Sequence, residues 1–207
     1  MNELKENFLN KSIEAAHQAS LLVPTFNVVI AVAQSVLESG WGTSLLSTEA
    51  NNLKGVKAGS SWAGETLDLP TKEQNRDGSW RTEVARWRKY PNWQAAFEDY
   101  GKLVERVYPD AAAKRGNSLQ FLNGLLDNVG YKYATDLSYV DKVWNIVVQN
   151  NLLERYAKYL DAKVKRNVFV VIDSSGKETA FEIPEGYSVV QRFTPDGDKT
   201  YVHIRKG

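Results

Sequence analysis

The chain has 207 residues, 43% of them apolar, with 6 Trp, 10 Tyr and 7 Phe; this suits one packed domain plus a small appendage and excludes a disordered chain. With 26 basic against 25 acidic residues and a net charge of +1, bulk charge offers no hold on nucleic acid. The absence of cysteine and the presence of only His17 and His203 exclude disulfides, a thiol nucleophile and a Cys- or His-rich metal site, and neither histidine lies near a GxSxG nucleophile motif.

Residues 2–19 predict a polar amphipathic helix with Leu4, Phe8, Ile13 and Ala16 towards the body. No basic segment followed by an apolar core occurs there, so no secretion signal and no membrane insertion are expected, and no run reaches the ~18 apolar residues of a span. Pro24 and Thr25 are expected to open a second helix. Its run FNVVIAVAQSVLE is apolar nearly all round and predicts a central buried helix ending at Gly40 and Gly42. Residues 43–64 read as irregular. Asp77-Gly78, between segments rich in Thr, Val and Trp, predicts a β-hairpin over 66–89 with a two-residue turn. In that register Arg76 pairs with Ser79 and Glu73 with Thr82, so Glu73, Asn75, Trp80 and Thr82 share a face.

Helical spacing returns after Pro91, through Trp93, Phe97, Tyr100 and Val104, and again from Leu119 to Val129 with Ser118 as the expected cap. Residues 137–149 and 151–161 predict two more helices. Near residue 163 the composition changes to short β-like runs, VFVVI, TAFEI, YSVVQRF and TYVHI, separated by Ser-Gly, Glu-Gly and Asp-Gly turns. The expected organisation is a catalytic domain over 1–162 and a small β-rich module over 163–207.

Glu38 stands in the last turn of the apolar helix, directly before Ser-Gly-Trp-Gly. Removal from water and the negative end of the helix dipole both disfavour its carboxylate. A carboxyl that keeps its proton near neutral pH is what protonation of a glycosidic leaving oxygen requires. The ordinary alternative is a solvated helix end.

The string AQSVLESGWGTS (33–44) resembles the catalytic helix of glycoside hydrolase family 73, endo-β-N-acetylglucosaminidases that cut peptidoglycan. NNLKGVKA (51–58) is similar to the family's NNLFGIK segment, TKEQNRDGSW (71–80) to its T-x-E hairpin, ARWRKYPNWQAAFEDY (85–100) to its A-x-F-R-x-Y run, and GYKYATDLSYVDKV (130–143) to its G-Y-A-T-D-x-x-Y-x-x-K signature. Five motifs in order cover residues ~25–155. The resemblance implies an α+β, lysozyme-like fold, with a mainly helical lobe and a hairpin lobe around a sugar groove, no cofactor, and Glu38 as general acid. It implies functional roles for Glu73 and Tyr133, with Tyr131 the alternative to Tyr133 if the register slips by two and Glu65 the rival of Glu73 as second carboxylate. Trp87 departs from the family's Phe, and the tail after about 165 has no counterpart.

Aromatic faces stack on pyranose rings, and Trp41, Trp62, Trp80 and Tyr90 are the stacking candidates; Asn52 and Tyr131 complete the expected substrate-binding set. The expected partner is bacterial peptidoglycan, cleaved between GlcNAc and MurNAc by a monomer. A phage endolysin fits a chain without a signal. The competing readings are a muramidase or lytic transglycosylase of similar fold, and an inactive wall-binding or phage structural module.

Overall fold

The computed structural model describes residues 2–74, 78–128, 131–163, 168–172, 178–182, 187–193 and 201–206. Two compact units divide the chain, Met1–Ala157 and Lys158–Gly207.

In the first unit, α1 (Glu3–Leu22) is capped by Asn2, whose side chain accepts from the Leu4 N–H, and buries Phe8, Leu9, Ile13, Ala16 and Ala19. The central helix α2 (Val28–Ser39) is buried at every position from Val28 to Val36. It starts at Val28 rather than at Pro24-Thr25: Asn27 accepts from the Ile30 N–H at 3.0 Å, which satisfies an otherwise orphaned helix donor that Pro24 could not.

The stretch read as irregular contains a short helix, α3 (Leu45–Ala50), capped by Ser44. After the hairpin come α4 (Trp93–Val107), the single turn α5 (Pro109–Ala113) and α6 (Ser118–Leu126). Asn117, not Ser118, caps α6 through the Gln120 N–H. Then α7 (Tyr139–Gln149) and α8 (Leu152–Lys163) follow. Arg155 binds both carboxylate oxygens of Glu6 at 2.8 and 2.9 Å, tying the start of α8 to α1.

The hairpin forms, with β1 (Thr66–Gln74) antiparallel to β2 (Trp80–Arg88), but its expected register does not. Glu73 pairs with Arg81 rather than Thr82, and Gln74 pairs with Trp80, so residues 75–79 connect the strands instead of a two-residue turn. Asn75, Arg76 and Asp77 lie outside the described residues. Because strand faces alternate with period two, the one-residue shift takes Trp80 and Thr82 off the set to which Glu73 belongs and groups Glu73 with Arg81, Leu69 and Ala85.

Segment 56–58 fastens the hairpin from the body side: Lys57 bridges Trp87, the Ala58 N–H donates to the Arg86 carbonyl, and the Arg88 N–H donates to that of Val56. At the end of β2 the Arg88 guanidinium grips both oxygens of Asp99 on α4 at 2.8 and 2.7 Å, and the Tyr90 hydroxyl donates to the same carboxylate at 2.7 Å. These groups are largely buried, so a missing charge leaves its partner uncompensated. Asp99→Asn is expected to lower unfolding free energy by about 1–2 kcal/mol, read as a lower denaturation midpoint with an unchanged m-value.

In the second unit two hairpins form, β3 (Val168–Ile172) with β4 (Glu178–Glu182) and β5 (Tyr187–Phe193) with β6 (Tyr201–Lys206), each an antiparallel pair. The β5–β6 ladder shifts register between Val189 and Gln191. These strands match the four β-like runs of the tail.

Candidate active site

Glu38 is placed by the way α2 ends. Gly40 caps the helix in the left-handed region (φ 58°), and Trp41 and Gly42 continue there at φ 64° and 75°. The N–H groups of Gly40 and Trp41 both return to the Val36 carbonyl. Ser39 locks the turn from below, its hydroxyl donating to the Ser35 carbonyl and accepting from the Gly42 N–H at 2.8 Å. The backbone under Glu38 is thus held on both sides.

A cleft of about 580 Å³ opens over Glu38, lined by Leu37, Lys132, Tyr133, Asp136, Tyr139 and Lys142 among others. The Tyr139 hydroxyl donates to Glu38 Oε1 at 3.1 Å. Glu38 as a residue is exposed, which corrects the expectation of a buried acid. Its carboxyl is nevertheless crowded by protein, and that local desolvation governs its ionisation more than the accessibility of the whole side chain. Desolvation raises the Glu38 pKa above the ordinary carboxylate value, against smaller opposing effects from the Tyr139 hydrogen bond and the Lys54 charge.

Tyr133 sits half-buried within the same cleft, its ring against those of Tyr100, Tyr108 and Tyr139 at 5.8–6.2 Å. Burial, then the Glu38 charge and Tyr108, push its hydroxyl pKa up, so it stays protonated through the neutral range. Tyr139 is raised in the same way, burial leading. Asp136 also faces this cleft, but Lys142 at 2.6 Å and the Ser138 N–H hold its carboxyl below the usual range. Its oxygen meets the chain one step ahead of α7, so it braces the helix entry without being the cap itself.

Beneath Glu38 runs a buried polar chain. The Gln34 amide nitrogen donates to the Tyr139 hydroxyl at 3.2 Å, while Gln34 Oε1 accepts from Tyr100 at 2.7 Å and from the Lys54 ammonium at 3.3 Å. Sequence reasoning missed all of these groups. Gln34 was signalled by its position one turn before Glu38 on the same helix face, and Tyr139 by its place in the GYKYATDLSYVDKV string; nothing in the sequence marked Lys54 as buried.

The remaining candidates divide. Trp62 and Tyr90 line a second cleft of about 590 Å³ with Glu65, Lys89, Glu98 and Asp99. Tyr90 is only 4% exposed, which leaves the Trp62 face as the accessible one; the Arg88 guanidinium lies 4.6 Å from that ring. Glu65 pairs with Lys89 at 3.3 Å and does not line the Glu38 cleft. Asn52 is buried with its amide spent on the Val56 and Arg88 carbonyls and the Val56 N–H, so it shapes the loop instead of offering a donor to sugar. Trp41 packs edge-on to Phe8 and under Lys5. Trp80 and Tyr131 are exposed, at 66% and 70%. The Glu73 side chain lies outside those described.

No group of three or more metal-ligating side chains occurs among the described residues, and none of their helices is long and apolar enough to cross a membrane. The family model described as mannosyl-glycoprotein endo-β-N-acetylglucosaminidase, Glucosaminidase, matches residues 14–152. The chain belongs to the glucosaminidase family. Its glucosaminidase domain is 33% identical over 146 residues to the peptidoglycan hydrolase FlgJ of Vibrio parahaemolyticus, covering 68% of this chain and 46% of that protein. The exo-glucosaminidase LytG of Bacillus subtilis is 32% identical over 144 residues, 66% of this chain and 49% of LytG. The solved, C-terminally truncated glycoside hydrolase domain of Salmonella typhimurium FlgJ superposes with a TM-score of 0.58 at 30% identity, covering 71% of this chain and 97% of that one. The glucosaminidase thus has the lysozyme-like fold of glycoside hydrolases, and it spans about half the length of these two curated relatives.

Proposed function

We propose that the chain hydrolyses peptidoglycan as an endo-β-N-acetylglucosaminidase, with Glu38 protonating the oxygen that links GlcNAc to MurNAc. One observation carries the reading: a carboxyl with a raised pKa at an open cleft, held by a tyrosine hydroxyl on one oxygen and free to meet substrate with the other. A raised pKa keeps the acid form populated towards neutral pH, and the Tyr139 donor stabilises the carboxylate left after proton transfer. Tyr133, kept protonated, supplies a donor for water or the acetamido group.

The second carboxylate is Glu73 on β1. Water activation or oxocarbenium stabilisation needs an ionised partner across the sugar. The family resemblance assigns this role to Glu73; Asp136 is ion-paired with Lys142, and Glu65 with Lys89 in the other cleft. Trp62, Trp80 and Tyr131 are the accessible aromatic surfaces for the glycan.

Mass spectrometry of digested walls tests the linkage. Fragments ending in reducing GlcNAc are expected; reducing or anhydro-MurNAc ends refute the reading in favour of a muramidase or transglycosylase. Release of long fragments before single sugars separates endo from exo action. The pH dependence has a fixed sign: the acid must be protonated, so kcat falls as pH rises through the raised Glu38 pKa, and the descending limb is expected above the ordinary value of 4.5.

A further inference from the structure

Lys54 is 8% exposed, in a loop beneath the acid, a place few lysines occupy. Its ammonium donates to the Ala31 carbonyl at 2.6 Å and to Gln34 Oε1 at 3.3 Å, and lies 4.3 Å from the centre of the Tyr100 ring and 5.6 Å from that of Phe97.

We infer that Lys54 is a positioning residue that sets the direction of the hydrogen-bond chain Lys54–Gln34–Tyr139–Glu38 and thereby keeps the acid's proton on the oxygen facing substrate. The inference rests on Glu38 being the acid. Lys54 spends its N–H donors on the Ala31 carbonyl and on Gln34, so the Gln34 atom nearest Lys54 is oxygen. The amide nitrogen then faces Tyr139 and occupies its lone pair. The Tyr139 proton is left for Glu38 Oε1, and the carboxylic proton must sit on Oε2. Tyr100, which also donates to Gln34 Oε1, cannot impose this direction, because a hydroxyl both donates and accepts. With an apolar side chain at 54 the Gln34 amide is free to flip. Tyr139 then donates to Gln34 and accepts from Glu38, and the acid proton is diverted away from the leaving oxygen.

The ionisation states are linked. Burial drives the Lys54 pKa well down, and the Glu38 charge pulls it back up, so the two groups support each other's charged forms. Among the described residues, the other titratable or charged groups facing the acid are Tyr139 from α7, Tyr133 from the loop before it, and Lys132, Asp136 and Lys142 on the cleft wall.

The test is Lys54→Met, of similar length without donor or charge, in the full chain with soluble peptidoglycan fragments as substrate. A fall in kcat of about tenfold with KM unchanged is expected. The Glu38 midpoint, followed by ¹³C NMR of labelled glutamate and assigned with Glu38→Gln, is expected to rise, because the Lys54 charge that lowers it is removed. In a Tyr139→Phe background Lys54→Met is expected to cost nothing further, because the relay is already cut. An equal loss in both backgrounds, or an unmoved Glu38 midpoint, overturns the inference. Lys54→Phe is read in the same way should Lys54→Met not fold. A fully active Glu38→Gln refutes the functional reading instead; an inactive Glu38→Gln with an unmoved Glu38 midpoint in Lys54→Met overturns the positioning role alone.

Discussion

Glu38→Gln is expected to lower kcat/KM on bacterial walls by about a thousandfold, the range lost when a general acid is removed. Gln keeps an oxygen for the Tyr139 donor and nearly the same shape, so binding of wall fragments should persist. Stability should move the other way. The folded state holds the Glu38 proton more tightly than the unfolded chain, so this carboxyl's contribution to stability is full below the unfolded value of 4.5 and is lost as pH rises through the raised folded value. The variant lacks that loss, and its melting temperature at neutral pH should match or exceed that of the wild type. Paired turbidity clearing and thermal melts at pH 4 and pH 7 read both effects. Wall clearing at the wild-type rate, or a variant less stable at pH 7 than at pH 4 relative to wild type, contradicts the assignment.

Gly42→Ala is expected to have the largest effect on the fold. Gly42 has φ 75°, and a Cβ there would stand 2.7 Å from Cδ2 and 2.8 Å from Cε2 of Phe8. Phe8 has little room to yield: it is 4% exposed and packs against Trp93 with ring centres 5.2 Å apart. The left-handed backbone and the overpacking together should cost about 3–4 kcal/mol, a fall in melting temperature of about 6–16 °C for a unit of this size. Since the Gly42 N–H also anchors Ser39 under the acid, activity at low temperature should drop as well. An unaltered melting temperature would mean that the turn has slack it does not display.

The sequence revealed features that depend on local pattern and hid those that depend on what lies across the fold. The apolar run from Val28 and the glycines after Ser39 placed Glu38 correctly at a helix end, because hydrophobic periodicity and a left-handed cap are local causes. The hairpin was legible for the same reason, but Asp77-Gly78 overstated the tightness of its turn, and one residue of register regrouped Glu73 with Arg81. Asn52 looks like a sugar-binding amide until Val56 and Arg88 are seen to consume it. Lys54 was overlooked because a lysine is expected in water; the carbonyl and amide oxygen that hold it come from Ala31 and Gln34, on a helix 23 and 20 residues earlier. Tyr139 reached Glu38 only through the packing of α7 against α2.

The two sides of the Glu38 cleft are built differently. The acid's side is a buried helix with a locked terminus, whereas the opposite wall, residues 131–138, carries neither helix nor strand; the Tyr133 N–H is tied to the Leu125 carbonyl and the Asn128 amide to the Tyr131 carbonyl. Irregular surface segments tolerate insertion and exchange far better than packed helices do. This rim can therefore be lengthened or recomposed around Tyr133, changing the width of the cleft mouth, while the helix end that carries Glu38 stays as it is.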